Sequence, residues 1–535
     1  MLGGKLVNIA IFHIFLDNYI TFSSQEDSII FTTFNDMLRR AAWRLPDHPF
    51  IYWSDKKRGI TYAQSEELST RAAGALAALG VKKGERVGLF AHNGLDYVVA
   101  MFGIWKLGAI SAHISVLQKD NLSYFIQDSS PKVLIYTGDM HEVVEKIRDQ
   151  NLGVAHFICF DGAKDFASGW AESLDAAAAA PEVKVSDMDA AHLSYTSGSS
   201  GPPKGALLAH GYTARATHTI AERLNLCSAD VSLGVTSLSS SFHLVANLLP
   251  GVHRAMSIGV RKEWQPQEAW QEMDERGVTF FAGNPLVLGD LLKESRAMGK
   301  APGALTRCIS GGAPLPPDVK LAYYKEFGVH IVESYGQSEL GGFVAMGYPR
   351  FEEGKRFYAI GPGLPDRETI VADENGQEVP VGEPGELLIR NNVMVGYWNM
   401  PEKTTSVIHD GWLHTGDMGV MDEEGYFTLL GRWSERMVIS GRVVFPRYME
   451  EALLRHPAVH YTGVIARQDA AYGQIALGIV ELYPGQDVNP DELLSHCQGV
   501  LGVADSPKEV LIIEKMPMTP TGKIGKQELI RLYGG

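Results

Sequence analysis

The densest chemistry in the sequence lies in Ser194-Tyr-Thr-Ser-Gly-Ser-Ser-Gly-Pro-Pro-Lys-Gly205, directly after the apolar start of a strand. Gly198, Gly201 and Gly205 permit positive φ and let the backbone approach a ligand closely. Thr196, Ser197, Ser199 and Ser200, together with exposed N–H groups, can ring phosphate oxygens, and Lys204 supplies the counter-charge. A flexible Gly/Ser linker seldom ends in Pro-Pro-Lys-Gly. A Walker-type loop requires Gly-Lys-Ser/Thr opening a helix. Here Lys204 stands between Pro203 and Gly205, so that motif fails at both flanks. The segment reads as a phosphate-gripping loop of a different kind.

Such a loop needs a rigid frame, and the surrounding pattern supplies one. Residues 86–91 and 132–136 read as buried strands, and 66–79 and 97–107 as helices with apolar residues every three or four positions. Repeated strand-then-helix order implies parallel sheets covered by helices. The Ala-rich piece 175–180, leading into Pro181, reads as a surface connection. From about Glu368 shorter strands separated by Asn-Gly, Gly-Glu and Glu-Gly turns suggest an antiparallel or barrel-like region. A smaller α+β unit follows Gly431-Arg432. The expected class is therefore α/β: a large N-terminal domain of parallel sheets and helices plus a small β-barrel, then a small mobile α+β C-terminal domain.

The phosphate-gripping segment resembles the signature loop of the adenylate-forming (AMP-binding) superfamily, usually Thr-Ser-Gly-Ser/Thr-Thr-Gly-x-Pro-Lys-Gly, with Ser200 here where threonine is commonest. Further boxes follow in the family's order. Glu333-Ser-Tyr-Gly-Gln-Ser-Glu339 is similar to its Tyr-Gly-x-Thr-Glu element, with Ser338 for threonine. The resemblance implies that Tyr335 stacks on adenine, Ser338 holds the α-phosphate and Glu339 binds Mg²⁺, within an ATP site that also takes in Glu333, Ser334 and Gly336. One carboxylate plus phosphate oxygens and waters is a usual way of holding that ion. Gly311, Gly312 and Ala313 resemble the strand-end turn lining the adenine and acyl pocket. Asp417, in Trp412-Leu-His-Thr-Gly-Asp417, matches the aspartate that accepts both ribose hydroxyls, and Arg432 the arginine that closes the ribose site.

Ser434 falls at the family's hinge, where relatives often carry Lys or Asp. Ser440, Gly441 and Arg442 match a loop that faces the active site during thioester formation in CoA ligases. Relatives often have Lys and Glu where this chain has Val438 and Tyr448, which bears on the thiol contacts and leaves adenylation untouched. Pro517-Met-Thr-Pro-Thr-Gly-Lys523 resembles the C-terminal box whose lysine bridges substrate carboxylate and α-phosphate. An ammonium between two anions neutralises charge in the transition state. Lys523, Lys204, Ser338 and His243 are thus the expected catalytic residues. His243, Pro285, Gly312 and Gly336 are the expected acyl pocket, with residues 281–286 facing 310–313. His243 could equally be a satisfied core histidine. No aspartate lies between Ser237 and Asn247, which disfavours α-amino acids and leaves aryl, cyclic or medium-chain acids.

The resemblance spans residues 31–532 and divides the chain into an N-terminal extension (1–30), an adenylation domain (31–431) and a lid (432–535). It implies an acyl-CoA synthetase of the acid–thiol ligase branch, using ATP, Mg²⁺ and coenzyme A as cosubstrate. A carrier-protein thiol as acceptor, a non-catalytic nucleotide-binding homologue and a luciferase-like oxygenation are the competing readings. The net charge of −15 argues against sequence-independent binding to nucleic acid or anionic membrane. Residues 6–16 are apolar but too short to span a bilayer, and no signal-peptide cleavage pattern follows them. No integral membrane segment is expected. The four cysteines lie far apart without CxxC spacing, which fits a reducing cytosol. The partners expected are the acid and CoA, in a monomer or homodimer.

Overall fold

The computed structural model describes residues 33–196, 202–439, 441–518 and 524–534. Two eight-stranded sheets form the body. In the first, the strands Ile110–His113, Arg86–Phe90, Val133–Tyr136 and His156–Cys159 run parallel, and Ala190–Tyr195 joins them beside Ile110–His113. The chain then turns back, so that Gly205–Ala209 pairs antiparallel with Ala190–Tyr195, and Gly396–Tyr397 adds an outer strand. In the second sheet His330–Gln337, Arg307–Ser310, Phe280–Gly283, Val231–Gly234, Ser257–Val260 and Pro49–Trp53 lie parallel, with an antiparallel strand at each edge.

The helices Tyr62–Ala78 and Leu95–Lys106 pack between the sheets, and nearly every residue of the second is buried. Apolar side chains on all sides of a helix require burial on all sides, and the paired sheets provide it. These elements fall where the apolar periodicity places them, with no end shifted by more than four residues. The Ala-rich connection is more constrained than a surface link. A side chain at Gly74 would collide with the Ala178 carbonyl, so this stretch lies tight against the first of these helices.

The barrel-like region is an antiparallel sheet ordered Gly361–Pro362, Tyr426–Arg432, Trp412–Met421, Gly385–Arg390, Glu368–Ala372. Beyond it, the strands Val459–Asp469 and Gly473–Leu482 form a separate C-terminal sheet with Met437–Ile439, Arg442–Val444 and Glu509–Ile512. Among the described residues its apolar clusters, centred on Met437, Leu453 and Val480 and on Ile479 and Leu529, take nothing from the body. Two contacts between the units are a lysine on a tyrosine ring (Lys293 on Tyr483, 4.4 Å) and an arginine on another (Arg455 on Tyr358, 5.7 Å).

Between the body sheets lie three buried histidines. The His113 ring shares hydrogen bonds with Tyr97 Oη (3.0 Å) and Ser111 Oγ (2.8 Å), and His192 and His210 pack around Phe34. Burial pushes His113 down to about 4 and His210 to about 3, the latter slightly opposed by Asp189. A folded-state pKa below the unfolded value of ~6.5 means stability is complete above that value and is lost as pH falls toward the folded pKa. By pH 5 each such histidine should cost about 2 kcal/mol. The denaturant midpoint should therefore fall steeply between pH 7 and pH 5, and His113→Gln should flatten that dependence.

Candidate active site

The phosphate-loop residues Ser197, Gly198, Ser199, Ser200 and Gly201 lie outside the described residues, as do Ser440 and Lys523. The neck of the loop is described. Thr196 N–H donates to Lys204 O (2.9 Å), closing a hairpin between antiparallel strands. Tyr124 Oη donates to Pro203 O (2.5 Å) and Tyr195 Oη to Asp128 Oδ2 (2.7 Å), pinning both legs. The loop thus returns into a strand and opens no helix, which is the structural counterpart of the failed Walker pattern. Thr196 Oγ1 is buried and finds no partner among the described residues.

Lys204 extends over the Tyr397 ring, its Nζ 5.0 Å from the centroid. Burial, the largest influence, holds this amine below its ordinary value against the opposing pull of Glu339. Glu339 Oε1 accepts the Tyr397 hydroxyl (2.7 Å). Ser338 Oγ stands 3.5 Å from Ser241 Oγ. A divalent cation at Glu339 fits this donor set. Hard cations take oxygen ligands, and a single oriented carboxylate leaves the remaining positions to nucleotide and water.

A second cluster surrounds Asp417. Its Oδ2 accepts from Tyr335 Oη (2.7 Å) and Gln337 Nε2 (2.6 Å), while Arg432 Nε lies 3.2 Å from Oδ1. Asp417 and Arg432 sit opposite each other on paired strands, so their contact follows from register. Burial and then Asp417 push the Tyr335 hydroxyl well up, keeping it a donor. For Arg432 burial is the largest influence and acts downward, yet Asp417 and its other anionic neighbours outweigh it and the guanidinium lies above its ordinary value. With two donors on Oδ2, Oδ1 has only Arg432 beside it and keeps accepting capacity that a ribose hydroxyl could use.

The glycines differ in role. Gly312 has φ +83° and open space around it, as expected for backbone that a flat ring could approach, with Ala313 exposed beside it. A side chain at Gly311 would meet Phe242 and Ser334, so Phe242 occupies that position. A side chain at Gly336 would strike Gly342 O, so this glycine serves the bulge between His330–Gln337 and Gly342–Met346. Ser334 Oγ donates to Ser310 O (2.8 Å). Pro285 opens the helix Pro285–Met298, whose first turn is capped by Asn284.

Two expected site residues have their polar groups engaged elsewhere. The Glu333 carboxylate is paired with Lys320 (3.0 Å), and burial pushes it up against the opposing influence of Lys320 and Arg447. His243 is fully buried, with Nδ1 donating to Thr236 O (2.6 Å) and Nε2 facing Asn247 Nδ2 (3.4 Å), and its ring fills the space beside Gly234. Burial lowers it to about 4, so the imidazole is neutral near pH 7. From this turn Ser241 and Phe242 reach Ser338 and Gly311.

In the C-terminal unit Gly441 (φ +77°) turns the hairpin with open space beside it among the described residues, and Arg442 pairs with Asp505 (3.0 Å). Ser434 is exposed in the turn Trp433–Glu435. Close to Lys523 in sequence, Lys526 joins Glu435 (2.7 Å) and Glu450 (2.9 Å). Gln337, Tyr397 and Lys526 escaped the sequence reading. Gln337 lies inside a quoted motif, whereas nothing local to Gly396-Tyr397 marks it.

An AMP-binding enzyme family model matches residues 38–398, and the AMP-binding enzyme C-terminal domain matches 448–523. The chain belongs to the AMP-binding enzymes, in the company of acyl- and aryl-CoA ligases. A feruloyl-CoA synthase of Amycolatopsis sp is 30% identical over 480 residues, 89% of this chain and 94% of that protein. The long-chain-fatty-acid–CoA ligase FadD13 of Mycobacterium tuberculosis is 28% identical over 89% of this chain and 93% of its own length. Among solved structures, the anthranilate CoA ligase AuaEII with anthranoyl-AMP superposes with a TM-score of 0.85 at 25% identity, covering 94% of this chain and 97% of that one. ATP-bound MatB of Rhodopseudomonas palustris gives 0.83 at 25% identity over 94% and 99%.

Gln337→Met keeps the side-chain length and removes a donor from Asp417. It should raise the KM for ATP about tenfold and leave the KM for the acid unchanged, as read by ATP–pyrophosphate exchange.

Proposed function

We propose that this protein activates an aryl, cyclic or medium-chain carboxylic acid with ATP and transfers the acyl group to coenzyme A. The observation carrying this is the Asp417 carboxylate, held by Tyr335, Gln337 and Arg432 in a site that also contains the Lys204–Tyr397–Glu339 group. Gln337 of the first group and Glu339 of the second lie two positions apart on the chain, and Arg432 is influenced by both Asp417 and Glu339, which supports reading the two clusters as one site. The aryl-acid ligases among the relatives support an aryl substrate.

In the first half-reaction a carboxylate oxygen attacks the α-phosphorus, the α–β bridging P–O bond breaks, and pyrophosphate leaves with that electron pair. Asp417 takes the ribose hydroxyls through Oδ1. Lys204 faces the departing phosphates, Ser338 donates to an α-phosphate oxygen, and Lys523 lies between the two reacting anions. Glu339 would hold a magnesium ion, which would supply neutralising charge to the triphosphate. His243, neutral and engaged with Thr236 and Asn247, supports the turn that carries Ser241 and Phe242. In the second half-reaction the lid rotates about Ser434, Lys523 withdraws, and the loop around Gly441 lines the path of the thiol. The thiolate sulfur attacks the acyl carbonyl, the acyl–phosphate C–O bond breaks, and AMP departs. One site thereby serves two chemistries through a conformational step. The four cysteines are free, which agrees with action in the reducing cytosol. No helix of the described residues is long and apolar enough to cross a membrane.

A pyrophosphate-release screen over short, medium, branched, cyclic and aryl acids, followed by CoA or a carrier protein as acceptor, tests the reading. Release with no acid would defeat it. Lys523→Ala should slow pyrophosphate release about a thousandfold, equivalent to about 4 kcal/mol, yet still convert a supplied acyl-adenylate to thioester. Gly441→Trp should block thioester formation and leave adenylation near normal, since the open space beside Gly441 is where the indole would project.

A further inference from the structure

The segment Met394–Trp398 is stitched to both charged halves of the phosphate site. On one side Trp398 N–H donates to Gly205 O (2.7 Å) and Val395 N–H to Leu207 O (2.8 Å), on the strand that begins one residue after Lys204. On the other, Met394 N–H donates to Glu339 O (2.7 Å). Trp398 Nε1 and Asn399 Nδ2 both donate to Asp128 O (3.0 and 3.1 Å), and Tyr397 N–H donates to Thr404 Oγ1 (2.9 Å). Tyr397 is 7% exposed and its backbone is held by strand pairing to Ala206 and Leu207.

This fixed ring lies between a cation and an anion. Its hydroxyl donates to Glu339 Oε1 and its face carries Lys204 Nζ. Lys204 and Glu339 attract each other, yet form no ion pair among the described residues. A direct pair would neutralise both groups and turn them away from a phosphate-bound cation. A hydroxyl donor on one carboxylate oxygen instead fixes the rotamer and leaves the other oxygen for a ligand, and the ring face gives the ammonium a resting place that an incoming phosphate can outbid.

We propose that Tyr397 is a positioning residue that keeps Lys204 and Glu339 apart and sets the affinity of the Glu339 site for the cation accompanying ATP. The proposal rests on the assignment of Glu339 to that cation. It is distinct from ribose binding at Asp417 and from recognition of the acid.

Tyr397→Phe retains the ring and removes the hydroxyl. The Mg²⁺ concentration giving half-maximal pyrophosphate release should rise about tenfold. Binding of Mn²⁺ in the presence of ATP, read by electron paramagnetic resonance without acid, should weaken by the same factor. The KM for the acid and the thermal midpoint should stay as in the parent. Tyr397→Leu, which also removes the ring, should in addition weaken ATP binding measured without divalent cation, as Lys204 falls back onto Glu339. Unchanged Mn²⁺ affinity in Tyr397→Phe, or a matching change in the KM for the acid, would overturn the proposal. Glu339→Gln separates the two layers. If it weakens Mn²⁺ binding and Tyr397→Phe does not, the role of Tyr397 alone fails. If neither does, the cation is held elsewhere and the assignment of Glu339 fails with it.

Discussion

The Asp417 carboxylate is where the separately built parts of this molecule meet. Tyr335 and Gln337 reach it from the edge region of the second body sheet, Asp417 itself belongs to the small antiparallel sheet, and Arg432 is the last residue of that sheet before the C-terminal unit. A largely buried carboxylate must be given donors, because leaving it unpaired costs several kcal/mol. Those donors are drawn from two stretches of chain, so satisfying one charge ties the second body sheet to the small antiparallel sheet and to the point where the C-terminal unit begins.

Much of this was legible in the sequence where a residue type has few uses. Gly/Ser density ending in Pro-Pro-Lys-Gly pointed to a candidate phosphate loop, and Pro203 and Gly205 argued against a helix-opening loop, in agreement with the antiparallel strand Gly205–Ala209 that follows. Alternating apolar strands and amphipathic helices announced parallel sheets, because only buried strands tolerate such runs. Polar side chains with several possible partners were harder. Glu333 sits in a motif, but Lys320 is thirteen residues away and nothing local says that the two would pair. His243 falls at a suggestive position, yet the missing side chain of Gly234 lets its ring settle inward. Tyr397 lacks any charge or catalytic type, and its importance comes from what lies on either side of it in three dimensions.

The C-terminal unit repeats this lesson on a smaller scale. Its apolar clusters are its own, so it can be a body in its own right. Lys526 bridges Glu435, one residue after the expected hinge at Ser434, and Glu450, on the helix Arg447–Leu454. For Lys526 burial acts downward and is the largest influence, yet Glu450 and Glu435 together carry the ammonium above its ordinary value. The charge is therefore retained, and the stretch after the hinge is tied to the segment following Lys523. Rotation of the unit can then carry both together.

The outer strand Gly396–Tyr397 has a consequence for how the protein comes into being. It pairs with Leu207 and Ala206 across nearly two hundred residues of chain. Closing so wide a loop is entropically slow and comes only after local structure has formed. During synthesis the first sheet can assemble from its parallel strands long before Tyr397 leaves the ribosome, but its edge at Gly205–Ala209 stays unfinished until then. A nascent or truncated chain ending short of residue 398 would bear the phosphate loop on an uncapped strand edge, exposed to pairing with a neighbour.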